Sequence, residues 1–316
     1  MMEENKKTKE IDFLGNLLRQ GKYREAITLG KKIHKEYPGE ESVLLILSWA
    51  CYDNGDIKQA VKYLNILLER ELQRKIFTGF AFDELVRIHK QEKNFRKLVE
   101  ICERAVSAQP DDLGLLLELG NALLHSGKAK KACEIYEKVV AIEDDNAAFY
   151  CCWGEALFAA GLIKESEKAY MQAAEIDCEQ SDRYYFKIAV LFQQAENHRE
   201  AERLLNKCIS INSTNPLYYC SLGDSLVGLG QIPNALKAYD MAARHDNLRA
   251  GAYYNRLGNA LMKAKLFSEA VEAFKTAIAL DSAELYYLNL AAAYKELGFI
   301  DLADKTLNEI GKVKSN

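Results

Sequence analysis

Apolar and polar positions along this chain follow the rhythm of amphipathic helices, at about 3.6 residues per turn, in stretches that repeat. The clearest copies are LELGNALLHSGKAKKACEIYEKVVAIEDDN, WGEALFAAGLIKESEKAYMQAAEID, LGDSLVGLGQIPNALKAYDMAARHD and LGNALMKAKLFSEAVEAFKTAIALD. Each has an apolar-periodic half, a short break near Gly or Lys, and a second half centred on Ala. The pattern predicts two helices joined by a tight turn, recurring with a step of about 34 residues. Counting from Lys7 gives nine repeats: 7–40, 41–74, 79–112, 113–146, 147–180, 182–215, 216–249, 251–283 and 284–316. A charged leader, 1–6, precedes them, and only residues 75–78, 181 and 250 fall outside. The expected organisation is therefore a single solenoid over 7–316, with an irregularity or hinge at 75–78.

Within each repeat, small residues recur in phase. Place eight holds Gly120, Gly154, Ala189, Gly223, Gly258 and Ala291, and place twenty holds Ala132, Ser166, Ala201, Ala235, Ala270 and Ala303. One small residue per helix predicts close approach of the two helices. Larger groups surround them: Leu119, Trp153, Ile188, Leu222, Leu257 and Leu290 at place seven, and Tyr136, Tyr170, Tyr239 and Phe274 at place twenty-four. The third repeat departs from this, with Val86 and Leu98 at the paired small places, which predicts a splayed helix pair. Pro38 and Pro110 fall where second helices must end, and Pro233 falls in a tolerated first turn.

These in-phase positions resemble the tetratricopeptide repeat (TPR) family over nearly the whole chain. The resemblance implies an all-α fold, a right-handed α-α superhelical solenoid of nine helix-turn-helix units. It further implies a concave groove lined by first helices at places two, five, nine, twelve and thirteen. In repeats two to four those places carry Leu45, Trp49, Tyr52, Arg87, Lys90, Leu117, Asn121 and Leu124, beside Asp83 and His125. In repeats five to eight they carry Glu155, Phe158, Phe186, Val190, Asp224, Asn255, Asn259, Met262 and Lys263, beside Cys151, Arg183, Gln193, Cys220 and Val227. Apolar groups mixed with charges of both signs suit an extended or helical peptide, with Trp49, Tyr52, Phe158 and Phe186 as anchors. The Lys/Asn and Lys/Arg clamp of TPR proteins that grip an acidic C-terminal tail is not reproduced. Its nearest matches pair Asn121 with Leu117, Asn259 with Asn255 and Arg87 with Asp83. Arg87 and Lys90 read first as part of a solvated charged face, and second as candidates for one carboxylate or phosphate.

A tyrosine ladder is the most unusual feature. Tyr184-Tyr185, Tyr218-Tyr219, Tyr253-Tyr254 and Tyr286-Tyr287 occupy places three and four of repeats six to nine. One ring of each pair is expected in the core, and the other against the preceding second helix with its hydroxyl near solvent.

Composition narrows the function. With 18 Gly and 4 Pro in 316 residues, chain breakers are scarce, which agrees with a mostly helical chain. The formal charge is −4, and residues 101–200 carry 10 basic against 18 acidic side chains, which opposes nucleic-acid phosphate. The eight cysteines form no CxxC pair and sit among helical apolar residues, so they read as reduced, buried side chains of a cytoplasmic protein. Five scattered histidines have no recurring acid or thiol partner, and no catalytic motif lies in a suitable context. The reading is a non-enzymatic scaffold for a protein or peptide ligand, without cofactor, metal or membrane. The alternatives are a single-stranded RNA-binding helical-repeat protein and a scaffold that self-associates through its solenoid ends.

Overall fold

The computed structural model describes residues 2–74 and 79–313, so the hinge read at 75–78 lies outside the described residues. Those described form eighteen α-helices and two short 3-10 turns, and no strand. The helices divide into two compact bodies, Met1–Asp144 and Asp145–Asn316, holding repeats one to four and five to nine. The first body contains α1 (Met2–Arg19), α2 (Tyr23–Glu36), α3 (Glu41–Asp53), α4 (Ile57–Leu72), α5 (Phe80–Gln91), α6 (Phe95–Ala108), α7 (Leu113–His125) and α8 (Ala129–Ile142). The second contains α9 (Ala147–Ala159), α10 (Ile163–Ile176), α11 (Ser181–Gln194), α12 (His198–Ile211), α13 (Pro216–Gly228), α14 (Ile232–His245), α15 (Ala250–Lys263), α16 (Phe267–Leu280), α17 (Glu284–Glu296) and α18 (Ile300–Val313). Odd-numbered helices are the first helices of the nine repeats, and even-numbered ones are the second.

Short polar residues start many of these helices. The carboxylate of Asp112 accepts the backbone N–H of Leu115 at 2.9 Å, and Asn146 and Asn215 do the same for Ala148 and Leu217. Between paired helices the chain turns through one left-handed residue. Gly230 takes it at φ +72°, but in the third, sixth and eighth repeats Lys93, Glu196 and Lys265 hold φ of 52°, 56° and 60°. A side chain there is strained, and tight pairing of the flanking helices enforces it.

The structure shows what the small place is for. A Cβ added at Gly120, Gly154, Gly223 or Gly258 would lie inside 3.0 Å of the ring of Tyr136, Tyr170, Tyr239 or Phe274. Each glycine is thus the socket for the aromatic ring at place twenty-four of its own repeat, and those four rings are fully buried. The two places compensate in volume along the chain. Where place eight holds alanine, at Ala189 and Ala291, place twenty-four holds Leu205 and Leu307. The first repeat reverses the scheme, with buried Leu14 at place eight and Gly30 at place twenty-four, their atoms 3.5 Å apart once a Cβ is placed on Gly30.

The third repeat offsets its extra bulk in part. Val86 stands at place eight there, but Cys102 at place twenty-four is small and fully buried, as is Leu98. The bulk added on one helix is only partly removed from the other, and α5 and α6 approach each other more sparsely than the paired helices of repeats two and four to nine, as a splayed pair requires.

Candidate functional site

The residues singled out as a groove all lie on first helices, and each body is taken by itself. In the first body, Leu45, Trp49 and Tyr52 on α3 are half-buried. The Trp49 ring meets Phe80 edge-on with centroids 5.8 Å apart, and Phe80 is itself exposed. The Arg87 guanidinium lies 4.6 Å over the Tyr52 ring, and the Tyr52 hydroxyl donates to Gln91 at 2.6 Å. Leu117, Asn121 and Leu124 on α7 are also half-buried, and Asn121 accepts a hydrogen bond from the Tyr136 hydroxyl at 2.8 Å.

Neither cation on α5 is idle. Arg87 donates to Glu84 at 2.7 Å, and the Lys90 ammonium stands 2.8 Å from the Glu118 carboxylate. An anion would have to displace or share these carboxylates. Burial, followed by Glu84 and Glu118, pushes the Asp83 carboxyl above its ordinary value.

In the second body the structure gathers part of the predicted set and sets part aside. Val190 on α11, Asp224 on α13, and Asn259 and Lys263 on α15 line one cavity of about 690 Å³. Gln193 joins them, donating to the Ser221 carbonyl at 2.7 Å and to the Ser225 hydroxyl at 2.9 Å. Outside that cavity, Glu155 is exposed with its carboxylate 3.8 Å from Lys187, and Phe158 is half-buried. The Phe186 ring packs at 5.0 Å on Tyr218. Asn255 is buried and accepts the Asn289 amide at 2.8 Å, and Met262 is packed against the core of repeats seven and eight. Cys151 and Cys220 are closed off as well, whereas Val227, though buried, contributes to the cavity lining.

Sequence transfer missed the residue that organises the cavity. Arg256, at place six of α15, donates Nε and Nη2 to Asp224 at 3.0 and 2.6 Å, and Nη2 to the Ser221 hydroxyl at 3.2 Å. Asp224 also accepts the buried Tyr239 hydroxyl. Burial works against the Arg256 charge, but Asp224 and Tyr239 outweigh it and leave its pKa raised. Burial and then Asp224 push the Tyr239 hydroxyl far up, so it remains a donor. The available signal was the spacing of Asp224 and Arg256, one repeat apart with opposite charge.

The tyrosine ladder belongs to the scaffold, and several of its hydroxyls are tied to protein acceptors instead of facing solvent. Tyr184 donates to Asp177 and Tyr253 to Asp246, each at 2.8 Å and seven residues back. Tyr218 donates to buried Asp182 at 2.7 Å, and Tyr219 donates to the Ser213 carbonyl at 2.9 Å while stacking on His245.

Burial holds the enclosed cysteines in the thiol form. Burial pushes Cys102, Cys208 and Cys220 up to about 12 and Cys151 up to about 11. All eight are unpaired; Cys152 is half-buried, and Cys178 is exposed, unlike the buried role read for it. No described helix is long and apolar enough to cross a membrane.

His89 is the odd member of the core. It is buried at place eleven, where Leu123, Leu157, Leu226 and Leu261 stand in other repeats. Burial and Lys97 lower its pKa, against weaker opposition from Glu92 and Glu100. A base with a depressed folded pKa contributes fully above its unfolded value, near 6.5, and its contribution falls as pH drops below that. Stability should therefore decline from about pH 6.5 downward, with a shallower slope in His89→Leu. Urea titrations at several pH values check this; an unchanged slope in the variant would assign it to His34, which burial and Arg70 also hold low.

Profiles described as tetratricopeptide repeat match residues 17–76, 113–146, 182–215 and 220–284, together more than half of the chain. The chain belongs to the tetratricopeptide repeat family. A curated TPR relative, small glutamine-rich tetratricopeptide repeat-containing protein 2 of Mycosarcoma maydis, is 30% identical over 104 residues, 33% of this chain and 29% of that protein. The chain therefore spans less than a third of that relative's length. Among solved structures it is similar to a TPR protein from Parabacteroides merdae, with a TM-score of 0.52 and 18% identity over 80% of this chain and 98% of that one. It also resembles YrrB, described as a TPR protein with an unusual peptide-binding site, with a TM-score of 0.40 and 16% identity over 61% and 98% of the two chains. At 18% identity the likeness to the Parabacteroides merdae protein is one of fold.

Proposed function

We propose that this TPR protein is a non-enzymatic scaffold that holds a peptide or helix of a partner protein in a groove along its first helices. TPR repeats support the general role of protein-interaction scaffold. The observation that carries the finer reading is an unfinished apolar face in each body. Leu45 and Trp49 in the first, and Phe158, Phe186 and Val190 in the second, are only half-buried, although other side chains of the same helices are completely enclosed. Beside them stand polar groups already fixed by the protein, such as the Arg87 and Gln193 networks, which would recognise a ligand at little ordering cost. The acidic balance of residues 101–200 favours this over RNA.

Selection from a displayed random peptide library tests the reading. Peptides captured by the full chain should lose binding by roughly tenfold or more when Trp49, Phe158 and Phe186 are replaced by alanine. Circular dichroism should show helicity retained, and undiminished capture by the variant defeats the groove assignment.

A further inference from the structure

The cavity between α11, α13 and α15 has a directional chemistry that the apolar groove alone does not explain. Arg256, Asn259 and Lys263 follow one another at i, i+3 and i+7 on α15, so they share one face of that helix. All three line the cavity, and Val190 and Gly228 are among the residues across from them. The donors differ in how firmly they are held. Arg256 is fixed by Asp224 and Ser221 through Nε and Nη2, and its Nη1 has no acceptor among the described residues. Asn259 and Lys263 are exposed and make no side-chain hydrogen bond or ion pair there. Asp224 is the nearest carboxylate, and it is consumed by Arg256 and Tyr239. The other acid of the lining, Glu196, sits exposed in the turn before α12. Along α15, then, the cavity offers N–H donors in sequence, and its one uncommitted carboxylate, Glu196, lies off that helix.

We infer that this cavity is the seat for an acidic side chain, Asp or Glu, of the bound peptide, a specificity that rests on the groove reading above. A carboxylate placed there accepts from Arg256 Nη1 and Asn259 Nδ2 and is met by the Lys263 ammonium. Arg256, already oriented by Asp224, gives direction at small entropic cost. The apolar wall of Val190 excludes water on the opposite side and strengthens the charge-assisted bonds. All three donors come from a single helix, so the seat takes one carboxylate within a peptide and needs no chain terminus.

The test uses the full chain and peptides selected from the random library, measured by fluorescence anisotropy. Peptides that bind should share an Asp or Glu, and its exchange for Asn or Gln should weaken binding roughly ten- to a hundredfold. Lys263→Glu, an exposed change that spares the Asp224–Arg256 pair, should weaken the acidic peptides about tenfold and shift a new selection toward Lys or Arg. Peptides that depend on Phe158 but tolerate both exchanges overturn the seat and leave the groove standing. Acid-dependent peptides sensitive to Lys263→Glu but indifferent to Phe158→Ala keep the seat and overturn the wider groove. A library that yields no binder overturns both.

Discussion

Gly258→Ala should destabilise the second body by about 1–3 kcal/mol, the opposite sign from the same exchange in an open helix. In a free helix interior alanine gains about 1 kcal/mol over glycine because it loses less backbone entropy. At position 258 the added methyl enters the Phe274 ring, with three ring atoms inside 3.0 Å. That ring is completely buried and cannot swing away without opening a void. The decisive control is a double change. The sixth and ninth repeats use alanine opposite leucine at these places, so Gly258→Ala with Phe274→Leu should recover stability to within about 1 kcal/mol of the wild type. Chemical denaturation of the four members of the cycle measures this. A single variant as stable as the wild type, or a double variant no better than the sum of its parts, rejects the socket account.

Asp182→Ala should be the next most damaging change, at about 2–3 kcal/mol. This carboxylate is 6% exposed and accepts from the Tyr218 hydroxyl at 2.7 Å and from the Asn212 amide at 3.1 Å. Removing it strands the buried Tyr218 hydroxyl and frees the half-buried Asn212 amide, which costs more than the loss of either bond alone. Tyr218→Phe removes one donor together with its need, so it should cost only about 1 kcal/mol. Equal losses in the two variants would mean that packing, not the carboxylate, holds repeats six and seven together here. Thermal melts followed by circular dichroism are sufficient, because the contrast between variants carries the conclusion.

The parts of the fold legible in the sequence were those governed by period and by volume. A helical rhythm with a constant step located the paired helices, and recurring Gly and Ala at place eight marked their contacts. The purpose of those glycines was only half visible: closeness of helices was read, but the ring seated in each socket needed three dimensions. Val86 shows the limit. It points to the looser third pair that α5 and α6 form, but not to the partial return of volume by Cys102 across the repeat.

Polar geometry was the least legible layer. Hydroxyls of the tyrosine ladder were expected near water because a hydroxyl's partner cannot be read from spacing on its own helix. Tyr218 finds Asp182 thirty-six residues away, and Arg256 finds Asp224 at thirty-two. Transfer of family positions likewise picked Asn255, which is buried, and passed over Arg256, one residue along the same helix. A single residue on a helix turns the side chain by about 100°, enough to exchange the core for the cavity.

The polar links between successive repeats have a bearing on cooperativity. Asp182–Tyr218, Asp224–Arg256 and Asn255–Asn289 join repeats six to seven, seven to eight and eight to nine. In a stacked array each repeat is stabilised by its neighbours, and strong nearest-neighbour coupling suppresses partly frayed states. With a charged or amide bond at three consecutive boundaries, opening any one breaks a polar link, and at Asp182–Tyr218 it strands buried partners on both sides. The amide hydrogens of α11 to α17 should consequently exchange as one cooperative foldon, so the stretch that carries the acidic-residue seat stays rigid while its ligand comes and goes.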